Sequence, residues 1–395
     1  MKKREGSIYT LPFILLCLSS MLFSASFNML IPELPAYLSS LGGAEYKGLI
    51  IALFTLTAGI ARPFSGKLTD TVGRVPVMAI GSLVCVICGV LYPLLSSVSG
   101  FLLLRLIHGF STGFKPTATA AYIADIIPRA RWGEALGLHG LAFSLGMAIG
   151  PALGGAITQI TSINVLFYTS SAFALISVVI LFNLKETLTH VQPWSGSLLR
   201  ISRHDIIELR VLPAALVTVL YYLTYGVILT LIPDWSGHIG IANKGLFFVA
   251  YTLSSLAVRF VAGRLSDTHG RLIVVKAGLI LLLIAMIILG FGQNLVWLLL
   301  GATLYGIATG IVSPALNAWT IDLSNPNYRG KALATMYIAL EAGIGLGALF
   351  SGWIYYDTIA RIPYILQSTG VGIVIAFIYI LYWEKKQRRK SLHIE

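Results

Sequence analysis

The chain has 395 residues, of which 56% are apolar and only 11% charged, with a mean hydropathy of +0.83 and a formal net charge of +12. Soluble domains carry about 25% charged residues, so the composition excludes a water-soluble globular protein and makes a lipid bilayer the solvent for most of the surface. The basic excess does not point to a nucleic-acid partner, because Lys and Arg sit in short segments between apolar runs rather than in one patch on a soluble face.

A bilayer core about 30 Å thick needs roughly 20 helical residues. Apolar runs of that length lie near residues 9–38, 46–68, 75–97, 99–127, 134–159 and 164–184, then 211–233, 245–266, 272–292, 295–323, 332–354 and 362–383. They predict an all-α membrane protein of twelve spans, numbered here in chain order. The first run is long and flows towards the second without a small-residue cleavage site, so it reads as a span and not as a cleavable signal. Cys85 and Cys88 form a C-x-x-C inside the third run, where packing is the expected role and no metal or cofactor site is supported.

The only long polar loop, 185–210, divides the chain into a bundle at 1–184 and a bundle with a basic tail at 211–395. With the N-terminus inside, 21 of the 28 Lys and Arg fall at cytoplasmic ends. Lys47, Lys244 and Arg361 lie outside, and Arg62, Arg105, Lys115 and Arg259 lie within spans. This asymmetry places both termini and the 185–210 linker in the cytoplasm, as the positive-inside rule requires. The expected location is a bacterial cytoplasmic (inner) membrane.

Residues 61–74 read ARPFSGKLTDTVGR and residues 258–271 read VRFVAGRLSDTHGR. A shift of 197 superposes Arg62 on Arg259, Gly66 on Gly263, Asp70 on Asp267, Gly73 on Gly270 and Arg74 on Arg271. The same shift pairs Gly109 with Gly306, Asp125 with Asp322, Gly146 with Gly343, Gly150 with Gly347 and Gly155 with Gly352. Chance likeness between apolar helices would not keep charges in register, so the two halves are a duplication. Two such repeats around a midplane site suit alternating access.

The segment GKLTDTVGR at 66–74 resembles the signature between helices 2 and 3 of the major facilitator superfamily. The resemblance implies that family's fold, two pseudo-symmetric six-helix bundles, and a cytoplasmic gate. In that gate Asp70 meets the start of span 11 near Lys331, and Arg74 pairs with Asp125. In the second half Asp267 meets the start of span 5, and Arg271 pairs with Asp322. On span 5, Gly137, Gly146, Gly150, Pro151, Gly154 and Gly155 fit G-x8-G-x3-G-P-x2-G-G, which resembles the antiporter signature of proton-coupled efflux members. Small residues at these spacings also serve plain close packing. Arg105 and Gly109 match the efflux pattern R-x-x-x-G, whose arginine is implicated in proton transfer, but His108 replaces the usual glutamine. His108 either hydrogen-bonds within the bundle or titrates.

Charges inside a span cost at least ~2.5 kcal/mol and mark functional positions. Lys115 and Glu341 are two such charges. They either join the halves as a salt bridge, or act separately, Glu341 on protons and Lys115 on an anionic substrate group. Lys115 follows His108 by seven residues, so the two share a helix face. Glu33 and Asp234 read as helix-end charges. Asn28, Tyr221, Tyr222 and Tyr225 lie on spans 1 and 7, which line the cavity in the superfamily. No phosphate-binding loop or HExxH is present, so an enzyme is not expected. The sequence points to a secondary transporter, working as a monomer, that exports small organic molecules against protons. The alternative is a uniporter or proton symporter for a polar, anionic metabolite.

Overall fold

The computed structural model describes residues 8–128, 131–193, 195–200, 207–325 and 329–392. Its helices in chain order are α1 (Leu11–Asn28), α2 (Leu34–Ser40), α3 (Lys47–Thr71), α4 (Arg74–Leu91), α5 (Val98–His108), α6 (Phe110–Ile126) and α7 (Trp132–Ile160). They continue as α8 (Ile163–Leu181), α9 (Leu212–His238), α10 (Leu246–His269), α11 (Arg271–Phe291), α12 (Leu295–Leu323), α13 (Arg329–Tyr355) and α14 (Ile362–Leu392). Among the described residues ten helices are long and apolar enough to cross a bilayer. The consecutive pair α5–α6 and the helix α10 supply the other two spans. Large apolar side chains such as Leu56, Ile87, Val179 and Phe291 lie exposed on the bundle's outside, the arrangement a lipid solvent stabilises.

Local chemistry explains most ends. Ser97 and Asn294, equivalent at the 197 shift, accept from Gly100 N and Trp297 N and cap the helices that open spans 4 and 10. The expected single run 9–38 is instead two helices, α1 and α2, joined by turns at 29–33. Pro32 removes an N–H donor within the turns, and Pro35 sits in the first turn of α2, where a missing donor suits a helix start. The α5–α6 junction at Gly109 keeps right-handed helical angles (φ −58°, ψ −29°), so the span does not bend away there. The last helix runs on to Leu392, beyond the expected end at 383, because the basic tail continues it with good helix formers.

The duplication is physical as well as textual. A Cβ on Gly109 would collide with the Phe54 carbonyl, and one on Gly306 with the Tyr251 carbonyl. Gly113 meets Ala58 and Gly310 meets Ser255 in the same way. Each of these partners is also offset by 197. Within the first half α1 packs on α7 and α8, and α4 on α6 and α8; within the second α9 packs on α13 and α14, and α12 on α10 and α11. The halves meet along α3–α13 and α7–α10.

Candidate transport site

Two ends of the bundle differ. The side bearing residues 182–193 and 207–211 is called the linker side, and the other the far side. At the far side the halves are locked together. Lys47 Nζ donates to Asp234 Oδ2 at 2.6 Å and to Asp357 Oδ1 at 2.5 Å, while Tyr355 OH donates to the same Asp234 oxygen at 2.8 Å. Lys244 Nζ lies 3.5 Å from Glu33 Oε2. Lys47 and Lys244 are equivalent at the 197 shift, so each half extends one lysine to a carboxylate of the other. Asn243 Nδ2 donates to Ala152 O at 3.1 Å, and Gly48 abuts Gly352 backbone to backbone. Glu33 and Asp234 are thus cross-half partners, which corrects their reading as mere helix-end charges.

At the linker side the expected ion pairs form within each half. Arg74 Nε donates to Asp125 Oδ2 at 3.0 Å, and Arg271 Nε to Asp322 Oδ2 at 3.1 Å. Among the described residues Asp70 makes no cross-half contact. Its carboxylate accepts from Arg74 Nη1 at 2.9 Å and its side chain is 73% exposed, which corrects the expectation that it meets the start of α13 near Lys331. Asp267 likewise bonds Arg271 and not the start of α7. Both carboxylates stand largely in solvent, Asp70 at 73% and Asp267 at 66% exposure, each bonded to the arginine four residues on. Gly73 and Gly270 hold φ of +133° and +93° at the starts of α4 and α11, a conformation that favours glycine. Gly66 has open space around its Cα, and the surroundings of Gly263 lie outside the described residues. Sequence reasoning missed Glu186, whose Oε1 and Oε2 accept from Arg74 N and Val75 N and cap α4.

The span-5 glycines build a seam. Gly146 and Gly150 press on the α1 backbone at Met21 and Ala25, one turn apart, and Gly154 on Met29 just past the end of α1. Gly343 and Gly347 press on α9 at Val219 and Leu223. Gly155 turns the other way, against Asn243 of the second half, and the Pro151 carbonyl abuts Gly245 there. Gly137 touches nothing within 4 Å of a built Cβ and is not part of the seam.

Lys115 and Glu341 do not pair. Glu341 Oε1 accepts from Arg62 Nη2 at 2.6 Å across the α3–α13 boundary, and the guanidinium lies 4.8 Å from the Tyr337 ring centre. Arg62 Nε is buried with no partner among the described residues. An apolar groove of about 780 Å³ runs between α3 and α13, lined by residues including Leu56, Ile60, Leu346 and Leu349, with Glu341 its one acid.

Lys115 is 1% exposed and lies inside the first bundle, which corrects its placement on the substrate cavity. Its Nζ donates to Ser19 O at 3.2 Å, Ser19 Oγ at 2.9 Å and Ser82 Oγ at 3.0 Å, contacts Ser177 Oγ, and sits 4.7 Å from the Phe23 ring centre. The second half keeps the packing and drops the polarity. Gly81 packs on Lys115 as Gly278 packs on Val312, while Ser19, Ser82 and Ser177 become Leu216, Leu279 and Val374 at the same shift. The neighbouring His108 is fully buried, with Nδ1 3.1 Å from Tyr92 OH and Nε2 3.3 Å from Cys85 Sγ. Arg105 Nε donates to Ile50 O at 2.9 Å and its guanidinium stacks over Phe54 at 4.6 Å. Asn28 turns back on its own helix, donating to Ser24 O at 2.8 Å, and lines neither the groove nor the recess described next.

Tyr221, Tyr222 and Tyr225 do converge. With Tyr251 and Tyr305 they line a small recess in the second half, about 40 Å³, together with Ser255, Arg259, Thr309 and Ser313. Tyr222 OH lies 3.3 Å from Ser313 Oγ, and the Tyr225 and Tyr251 rings are 5.8 Å apart. Arg259 was placed in a span by the sequence but not in a site. Its signal was its equivalence to Arg62.

A duplicated twelve-span bundle, locked at one end, with charged groups at the boundary of its halves, defines a polytopic membrane transporter. The chain belongs to the Major Facilitator Superfamily, whose family profile matches residues 16–206 and 214–393. It is 26% identical over 390 residues to the multi-drug resistance efflux pump PmrA homolog of Lactococcus lactis subsp. lactis (strain IL1403), covering 93% of this chain and 94% of that one. It is 27% identical over 391 residues to multidrug resistance protein MdtG of Escherichia fergusonii, covering 95% and 94%. Among solved structures, the D-xylose-proton symporter superposes with a TM-score of 0.74 at 16% identity over 93% of this chain and 96% of that one, a likeness of fold.

Proposed function

We propose that this transporter exports small organic molecules in exchange for protons by alternating access, with its linker side and both termini in the cytoplasm of a bacterial cell and with a monomer as the working unit. The observation that carries the reading is Glu341, a carboxylate buried at the seam between the halves and paired with Arg62. A proton arriving on Glu341 removes the charge that holds Arg62 and loosens the α3–α13 boundary, so protonation and rocking of the halves are linked. The groove beside it is apolar, which suits cargo that partitions into lipid. The span-5 seam and the efflux relatives favour export over uptake.

The experiment is transport of a lipophilic dye in proteoliposomes carrying an imposed pH gradient. Dye accumulation against its gradient with counterflow of protons supports the reading. Dye and protons moving in the same direction would overturn it.

A further inference from the structure

The two halves treat equivalent arginines differently. Arg62 and Arg259 occupy the same place at the 197 shift, and Arg62 is neutralised by Glu341. The residue equivalent to Glu341 in the first half is Ser144, so the duplication supplies no acid to Arg259. None of the ion pairs among the described residues includes Arg259. A guanidinium within a span is costly and normally finds a counter-charge. Here its side chain is exposed and borders the tyrosine recess.

We infer that Arg259 is the binding group for the carboxylate of an aromatic anionic cargo. The recess holds about 40 Å³, room for one small group and not for a ring. A carboxylate fits such a space and accepts two parallel bonds from a guanidinium. The Ser313 hydroxyl stands in the same wall as a further donor, while Thr309 Oγ1 already donates to Gly306 O at 2.9 Å, and the partly exposed Tyr222 and Tyr251 present rings for the flat body of the cargo outside the recess. A cationic cargo would find the same rings, but a full positive charge in the wall outweighs the ring quadrupoles that attract cations. Lys115 cannot take this role, since its ammonium is enclosed by serines.

The inference rests on the export reading only for the direction of movement, so it is tested by binding without any gradient. The probes are 2-naphthoate and its neutral isostere 2-naphthamide, measured by equilibrium dialysis on the purified full chain in nanodiscs. The wild type is expected to bind the acid about tenfold more tightly than the amide or better. Arg259→Gln should bring the two within about twofold, Arg259→Lys should keep part of the preference as a point charge, and Lys115→Met should keep all of it. Thermal unfolding of each variant confirms a folded bundle. No preference in the wild type, a preference that survives Arg259→Gln, or one lost in Lys115→Met overturns the assignment. Failure of proton antiport in proteoliposomes leaves this result standing, so the two readings fail separately.

Discussion

Replacing Lys47 by Met should open the far side. The Lys47 and Asp234 side chains are only 7% and 10% exposed, so their pair is largely desolvated in the closed state. Deleting one member of such a pair costs about 3–5 kcal/mol, because the other charge stays buried and uncompensated. Tyr355 still donates to Asp234 at 2.8 Å, and Asp357 is 44% exposed and loses little, so the lower end applies, about 3 kcal/mol. When the far side opens, Asp234 is rehydrated and the penalty disappears, so the open-to-closed ratio should rise about 150-fold. Lys244 reaches Glu33 at 3.5 Å with a single, longer contact, and the two side chains are 18% and 11% exposed. Because that contact is 0.9 Å longer than the 2.6 Å of Lys47–Asp234, Lys244→Met should shift the ratio in the same direction but less, about fivefold. Spin labels at Ser40 and Ala242, both exposed at the far-side tips of opposite halves, would report the change as a longer distance in pulsed dipolar spectroscopy on a cysteine-substituted background. An unchanged distance distribution in Lys47→Met, or a larger shift in Lys244→Met, would refute the reasoning.

Three further outcomes follow from contacts described above. Glu341→Gln should abolish gradient-driven transport while leaving passive exchange of the dye detectable; normal pH-dependent accumulation would end its proton role. Gly150→Val should destabilise the bundle by about 1–3 kcal/mol, since even a Cβ there lies 2.7 Å from the Ala25 carbonyl oxygen. Gly137→Ala, with open space around it, should be neutral or slightly stabilising, and equal losses in the two variants by thermal unfolding would show that the seam is not what the glycines serve. Lys115→Met should leave stability within about 1 kcal/mol, because Ser19 and Ser177 already bond each other at 2.9 Å and no buried charge is left behind. A loss of stability well beyond that would mean that the ammonium holds α1, α4, α6 and α8 together.

The fold was readable because its signals are long or repeated: twelve apolar runs, a basic asymmetry and a 197-residue register that recurs atom on atom in the glycine contacts. The within-half pairs Arg74–Asp125 and Arg271–Asp322 came through the family resemblance and are short-range in space. What was not readable depends on rotation and on state. Lys115 and Glu341 both looked like stranded charges, yet which way each points is set by helix packing, and one faces serines while the other faces Arg62. Asp70 and Asp267 each bond the arginine four residues on, and whether such an acid turns to its own half or across the boundary is not set by residue type. Lys47 and Lys244 were equivalent on paper, but their carboxylates sit 201 residues apart, at Glu33 and Asp234, off the register that revealed everything else. Arg259 was hidden for the opposite reason: its importance lies in a partner that the duplication does not supply.

The glycine seams carry a mechanical consequence. They hold α7 to α1 and α13 to α9, so these two boundary helices cannot peel away from their own half. Each half must then turn as a stiff lever. A helix the length of α7, 29 residues, is about 43 Å long, and pivoting it by about 10° around its middle swings each tip through about 4 Å. That travel exceeds the 2.6 Å separating Lys47 from Asp234. A small tilt is therefore leverage enough to part the far-side ion pairs in a single stroke, with no loop required to melt.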